Sequence, residues 1–142
     1  MKKNYSIKTT SWNKDKDALS KIRKRVFIEE QHVPEELEWD EDDKLCVHVL
    51  ATDENNNPIA CGRLKLDGHI GRMAVLKEHR NTGIGTKILK SLLAEAKKEN
   101  INRIYLHAQT TAIGFYEKQG FKVYSYEFMD AHIPHKSMQK NL

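Results

Sequence analysis

Two glycines one residue apart, Gly83 and Gly85, follow Arg80 at the point where an apolar run gives way to an amphipathic one. The residues around them, Arg80-Asn81-Thr82-Gly83-Ile84-Gly85-Thr86, read as a tight turn from a strand into the first turn of a helix. Such a turn aims unpaired main-chain N–H groups, and the positive end of a helix dipole, at one spot. A diphosphate is the natural guest, and Arg80 adds a formal positive charge beside it. Two common phosphate loops are excluded. A Walker loop needs Gly-Lys-Ser/Thr, whereas Gly85 is followed by Thr86-Lys87; a dinucleotide fingerprint needs a small residue at the position held by Ile88.

The elements that must position this turn follow from the rest of the chain. At 142 residues the chain suits one domain with a core of its own. No apolar run approaches the roughly 20 residues that span a bilayer. Met1 to Tyr5 is basic without an apolar stretch behind it, so a cytoplasmic protein without membrane partners is expected. Cys46-x-His48 with Cys61 has no recognised zinc-ligand spacing, so the cysteines are expected to be reduced thiols and no metal is expected. The net charge of +4 is spread over helix surfaces; Lys21, Arg23, Lys24 and Arg25 read as a solvated face, and no nucleic-acid partner is expected.

In chain order, Tyr5 to Thr10 reads as a strand and the stretch from Asn13 or Asp15 (as cap) to about Glu30 as a helix. Val33-Pro34 ends that helix, and the acidic stretch Glu35 to Asp43 reads as a loop or short helix near the substrate side, not as a core element. Strands are expected over Leu45–Ala51, Ile59–Leu66 and His69–Leu76, then the glycine-loop helix with Ile88, Leu89, Leu92, Leu93 and Ala96 inward. Ile101–Ala108 reads as a strand, Thr110–Gln119 as a short helix closed by Gly120, Phe121–Phe128 as a strand, and His135–Gln139 as a last one. This order makes a mixed α/β (α+β) domain, residues 1–142, with a crossover around the glycine-loop helix.

Arg80-x-x-Gly83-x-Gly85, in its place after Met73-Ala74-Val75 and before a helix, resembles the Arg/Gln-x-x-Gly-x-Gly/Ala signature of the GNAT N-acetyltransferase superfamily. Phe115-Tyr116-Glu117-Lys118-Gln119-Gly120-Phe121 is similar to that family's Phe-Tyr-x-x-x-Gly-Phe segment. Val26-Phe27-Ile28-Glu29-Glu30-Gln31-His32-Val33-Pro34 and the tail Ile133-Pro134-His135-Lys136-Ser137-Met138 resemble the ElaA/YjcF-like branch, with His132 in place of the tail's frequent glycine. Asn81 also stands where the superfamily often has glycine, and asparagine accepts left-handed angles. The resemblance implies a mostly antiparallel sheet flanked by helices, with central strands splayed to admit the pantetheine arm of a coenzyme A thioester. It implies acetyl-CoA as cofactor, held at its pyrophosphate by the loop from Arg80 to Thr86, and dimerisation is common in the family.

Acetyl transfer to an amine requires a neutral nucleophile, fixed donors for developing negative charge, and a proton for the departing sulfur. The resemblance points to the Met73-Ala74-Val75 backbone for orienting the thioester, to the Val75 N–H as oxyanion donor and to Tyr116 as acid. For the base, His135 and Glu30 rank ahead of Glu127 and His132, and a water chain would also serve. Glu29, Gln31 and His132 are candidates for binding the acceptor, Gln109 for the pantetheine amides, and His107 reads as a hydrogen-bonded structural histidine. The expected activity is N-acetyl transfer to the primary amine of a small molecule or protein. The alternative is a sensor that binds acyl-CoA with little turnover.

Overall fold

The computed structural model describes residues 4–142. Strands β1 (Tyr5–Thr10), β2 (Val47–Asp53), β3 (Pro58–Leu64) and β4 (Ile70–Val75) form an antiparallel sheet in that order. A second sheet is built on the long β8 (Ile133–Asn141), which pairs antiparallel with β5 (Arg103–Gln109), β6 (Lys122–Val123) and β7 (Phe128–Asp130). One parallel bridge, His69 to Tyr105, joins the two sheets. Gly68 makes that junction, at φ 102° with its carbonyl accepting the Tyr105 N–H at 3.0 Å; a Cβ there would collide with the Arg103 carbonyl oxygen. Beyond the bridge β4 and β5 run apart, which is the expected splay.

Alternation along β2 and β3 explains why both are buried on two faces. Val49 and Ala51 join the core under α3 (Ile84–Lys98), with Ile88, Leu89, Leu92 and Ala96. Leu50 and Cys61 point the other way, into a second core under α1 (Trp12–Arg23), with Leu19, Ile22 and Val26. Leu93 is only half-buried, at the edge of the first core.

Several local expectations are corrected. Ser11, not Asn13 or Asp15, caps α1 by accepting the Lys14 N–H, and Asp15 leaves helical angles at φ −127°, ψ 29°. The helix does not stay α-helical to Glu30: Lys24–Glu30 is a π-helical segment, widened by the Gln31 N–H reaching back to Val26 O. The strand expected over Phe121–Phe128 is interrupted, because Ser125 Oγ accepts the Ser137 N–H at 2.8 Å in place of a backbone rung. The final strand is correspondingly longer than expected.

The largest correction concerns charge. Arg23, read as part of a solvated face, is 1 % exposed, and it fastens the acidic stretch to the core. Within that stretch α2 (Glu35–Glu38) supplies Glu38, and the turn Glu41–Leu45 supplies Asp43. Arg23 Nε lies 2.7 Å from Glu38 and Nη1 2.8 Å from Asp43, while Arg63 holds Asp43 at 2.8 Å and Asp40 with two hydrogen bonds. The Trp12 and Trp39 rings both lie in cation–π range of the Arg23 guanidinium, at 5.3 and 5.1 Å. Glu38 and Asp43 thus anchor the acidic segment in a buried ion network while Glu35, Glu36 and Glu41 stay exposed, and Leu37 and Glu38 also line the groove described below.

Candidate active site

The splay opens a groove of about 470 Å³. One wall is the end of β4, Met73-Ala74-Val75; the other carries Gln109, Phe115 and Tyr116, with α4 (Ile113–Glu117) contributing the last two. Leu76 donates its N–H to Ile59 O on β3 at 2.9 Å. Successive main-chain N–H groups of a strand point to alternate sides, so Val75 turns its N–H and carbonyl toward the opening. The Val75 carbonyl there accepts Arg80 Nε at 2.9 Å.

At one end of the groove stands the glycine turn. Asn81 and Gly83 are left-handed, at φ 62° and 85°, and α3 starts at Ile84 with no side-chain cap. Among the described residues, none of the main-chain N–H groups from Asn81 to Thr86 is engaged; the first to bond inward is Lys87, to Gly83 O at 3.2 Å. Thr82 uses its hydroxyl on His79 O at 2.6 Å, which closes the turn and leaves its amide free. Ile84 sinks its side chain into the core and can offer only backbone, whereas Gly85 lines the groove. Six unengaged donors at a helix N-terminus fit a diphosphate. Arg80 differs from expectation: its guanidinium is already held by Glu30 through two contacts of 2.6 and 2.7 Å.

That pair also bears on the base. The Arg80 hydrogen bonds hold the Glu30 carboxyl below its usual range, which makes it a weaker proton acceptor. His135, by contrast, is 8 % exposed and lines the groove; its Nδ1 lies 2.7 Å from the Ile133 carbonyl, so that nitrogen carries the proton and Nε2 is the acceptor. Tyr116 lies across from Met73, hydroxyl to Sδ at 3.7 Å, and burial pushes its pKa up to about 12. Gln31 lines the groove and accepts from Gln109 Nε2 at 2.8 Å, tying the end of the π-helical segment to β5.

Other expected site residues lie outside the groove. Glu29 and Glu127 are exposed and do not line it. His132 sits exposed at the β7–β8 hairpin turn; with Ala131 it takes positive φ, 65° and 50°, the geometry for which glycine is usual. His107 lines the groove but is exposed and unbonded, packed against His69 and the edge of Phe128, so it is not a hydrogen-bonded structural histidine. Sequence reasoning missed Arg72, His69 and Asp130, all of which line the groove. The overlooked signal for the network was Arg23 itself, a charge four residues after Leu19 and one after Ile22 on the apolar face of α1. Burial lowers the pKa of His69 to about 4, so its ring is neutral at pH 7.

The family model described as "Acetyltransferase (GNAT) domain" matches residues 13–142. The Bacillus subtilis (strain 168) protein named "Uncharacterized N-acetyltransferase YjcF" is 40 % identical over 124 residues, 84 % of this chain and 88 % of that one. Among solved structures, an acyl-CoA N-acyltransferase from Pseudomonas aeruginosa superposes with a TM-score of 0.85 at 25 % identity, covering 96 % of this chain and 99 % of that one. Escherichia coli ElaA shares the fold with a TM-score of 0.84 at 23 % identity, over 96 % and 99 % of the two chains.

Proposed function

The chain belongs to the GNAT acetyltransferase family, and from that premise we propose that it transfers an acetyl group from acetyl-CoA to a primary amine by direct attack in a ternary complex. The observation that carries the reading is the set of unengaged amides from Asn81 to Thr86 at the head of a groove that ends on Tyr116 and His135. When bound, acetyl-CoA supplies an acetyl group activated as a thioester.

The residues then divide the work. The amides of Asn81, Thr82, Gly83, Ile84, Gly85 and Thr86 bind the diphosphate, with Arg80 adding charge from beside them. Glu30 is a positioning residue rather than the base: it aims the Arg80 guanidinium, whose Nε fixes the Val75 carbonyl and so the end of β4. The Met73-Ala74-Val75 backbone orients the acyl group, and the Val75 N–H stabilises negative charge developing on its oxygen. Tyr116, protonated throughout the neutral range, donates to the departing sulfur. His135 Nε2 accepts the proton that the amine loses. Gln109, fixed by its hydrogen bond to Gln31 at the end of the π-helical segment, lies where the pantetheine amides would pass.

The test has two parts. Acetyl-CoA should raise the melting temperature, and free thiol should be released when amines are supplied. No melting shift at saturating acetyl-CoA rejects the reading; a shift with no thiol release over a broad amine panel replaces it with an acyl-CoA sensor.

A further inference from the structure

The charged side chains lining the groove are Glu38, Arg72, Arg80 and Asp130. Most are engaged or solvated. Arg80 is held by Glu30, and Glu38 is buried between Arg23 at 2.7 Å and Arg72 at 3.1 Å. Asp130 is exposed at the rim, beside the β7–β8 turn, where water and salt screen it. Within the acidic segment Glu38, Asp40 and Asp43 are held by arginines, and the exposed Glu35, Glu36 and Glu41 do not line the groove.

Arg72 is engaged on one side only. Its Nη2 donates to Glu38 O at 3.0 Å and approaches Leu37 O and Asp40 Oδ2, and its Nε lies beside Glu38 Oε2. Its Nη1 makes no hydrogen bond among the described residues, and unlike Nε it is not a buried unpaired atom. The guanidinium is thus clamped along one edge and open along the other. The backbone explains its aim. Between the pairs Cys61–Ala74 and Arg63–Gly71, β4 holds one more residue than β3, a bulge in which Arg72 takes φ 52°. That left-handed residue directly precedes Met73-Ala74-Val75. His69, which lines the groove just before β4, stays neutral and offers no competing charge at pH 7.

We propose that the open edge of Arg72 receives an oxyanion of the acceptor, so that the acceptor class is an amine that also carries a carboxylate or a phosphate. Arg72 is then a specificity-determining residue; the proposal rests on the transferase reading for the place where the amine lies. A guanidinium nitrogen, charged at every physiological pH, donates to either oxyanion.

The experiment measures binding to the full chain saturated with coenzyme A, which needs no turnover. Calorimetric titrations compare amino acids with their amides, phosphoethanolamine with ethanolamine, and spermidine as a cationic arm. At least one carboxylate or phosphate amine should bind roughly ten- to a hundredfold more tightly than its neutral partner, the range of a charge-assisted hydrogen bond. The two arms tell carboxylate from phosphate. The preference should weaken with salt and should collapse in Arg72→Lys and Arg72→Gln, with the melting shift given by coenzyme A reporting that each variant is folded. Should either variant fail to fold, the wild-type preference and its salt dependence decide. Equal binding of neutral partners, tighter binding of spermidine, no binding by any anionic amine, or a preference that survives both substitutions overturns the proposal. Thiol release from acetyl-CoA is followed in parallel. Anionic amines that bind but are not acetylated refute the transferase reading alone, and efficient acetylation confined to neutral amines refutes this proposal alone.

Discussion

Replacing Gly83 by valine puts the cofactor turn under direct test. Gly83 sits at φ 85°, and a Cβ built there meets nothing within 4 Å, so the backbone angle is the main obstacle. A β-branched residue at positive φ costs about 1–3 kcal/mol, and the turn relaxes to avoid it. Relaxation swings the peptide planes on either side and redirects one or two of the amides between Thr82 and Gly85. Each charge-assisted hydrogen bond lost is worth about 1.5–3 kcal/mol, so acetyl-CoA affinity should fall roughly a hundredfold. At a ligand concentration a hundred times the wild-type Kd, binding stabilises the native state by about 2.7 kcal/mol, roughly 8–10 °C of melting temperature for a domain of this size. In the valine variant the same concentration yields about 0.4 kcal/mol, a shift of roughly 1 °C. Gly83→Asn is the matched control. Asparagine tolerates left-handed angles, as Asn81 does two residues earlier at φ 62°, so this variant should keep most of the shift. A folded Gly83→Val protein that still rises by the full wild-type amount would refute the assignment of these amides.

Three further outcomes follow from the same geometry. Tyr116→Phe should lower kcat by roughly 10²–10⁴-fold while acetyl-CoA still raises the melting temperature; its stability should change little, since the hydroxyl's partner is the Met73 sulfur at 3.7 Å. Arg23→Met should cost about 3–5 kcal/mol in urea unfolding, because Glu38 and Asp43 are left in the core with fewer cations; a loss below about 1 kcal/mol would show that Arg63 and Arg72 suffice. Stability should also fall as pH drops from about 6.5 to about 4. The folded pKa of His69 lies below its ordinary value, so the unfolded chain binds the extra proton in that window, and stability present above 6.5 is lost on the way down. The two values differ by up to roughly 3 kcal/mol. Burial lowers His48 in the same direction, so His69→Gln should flatten the curve in part, and an unchanged curve would contradict the burial argument.

Much of this molecule was legible in its residues because the signals are local. A glycine pair after an apolar strand needs only neighbouring backbone to make an amide-lined turn, and Asn81 and Gly83 duly adopt left-handed angles. The apolar period of α3 and the alternation along β2 and β3 place their own core faces in the same way. Phe115, Tyr116 and Gly120 sit within one short helix and the turn that follows it, at φ 90° for the glycine. What tertiary structure alone decided is where long-range partners meet. A glutamate at the end of the first helix reads as a base until Arg80, fifty residues away, takes its carboxylate. Arg23 reads as a solvated charge until Glu38, Asp43 and two tryptophans close around it. Arg72 owes its place in the groove to an extra residue in one strand opposite another. Charge and hydrogen-bond pairing depend on distances of a few ångströms between segments far apart in the chain, and no periodicity within a segment encodes them.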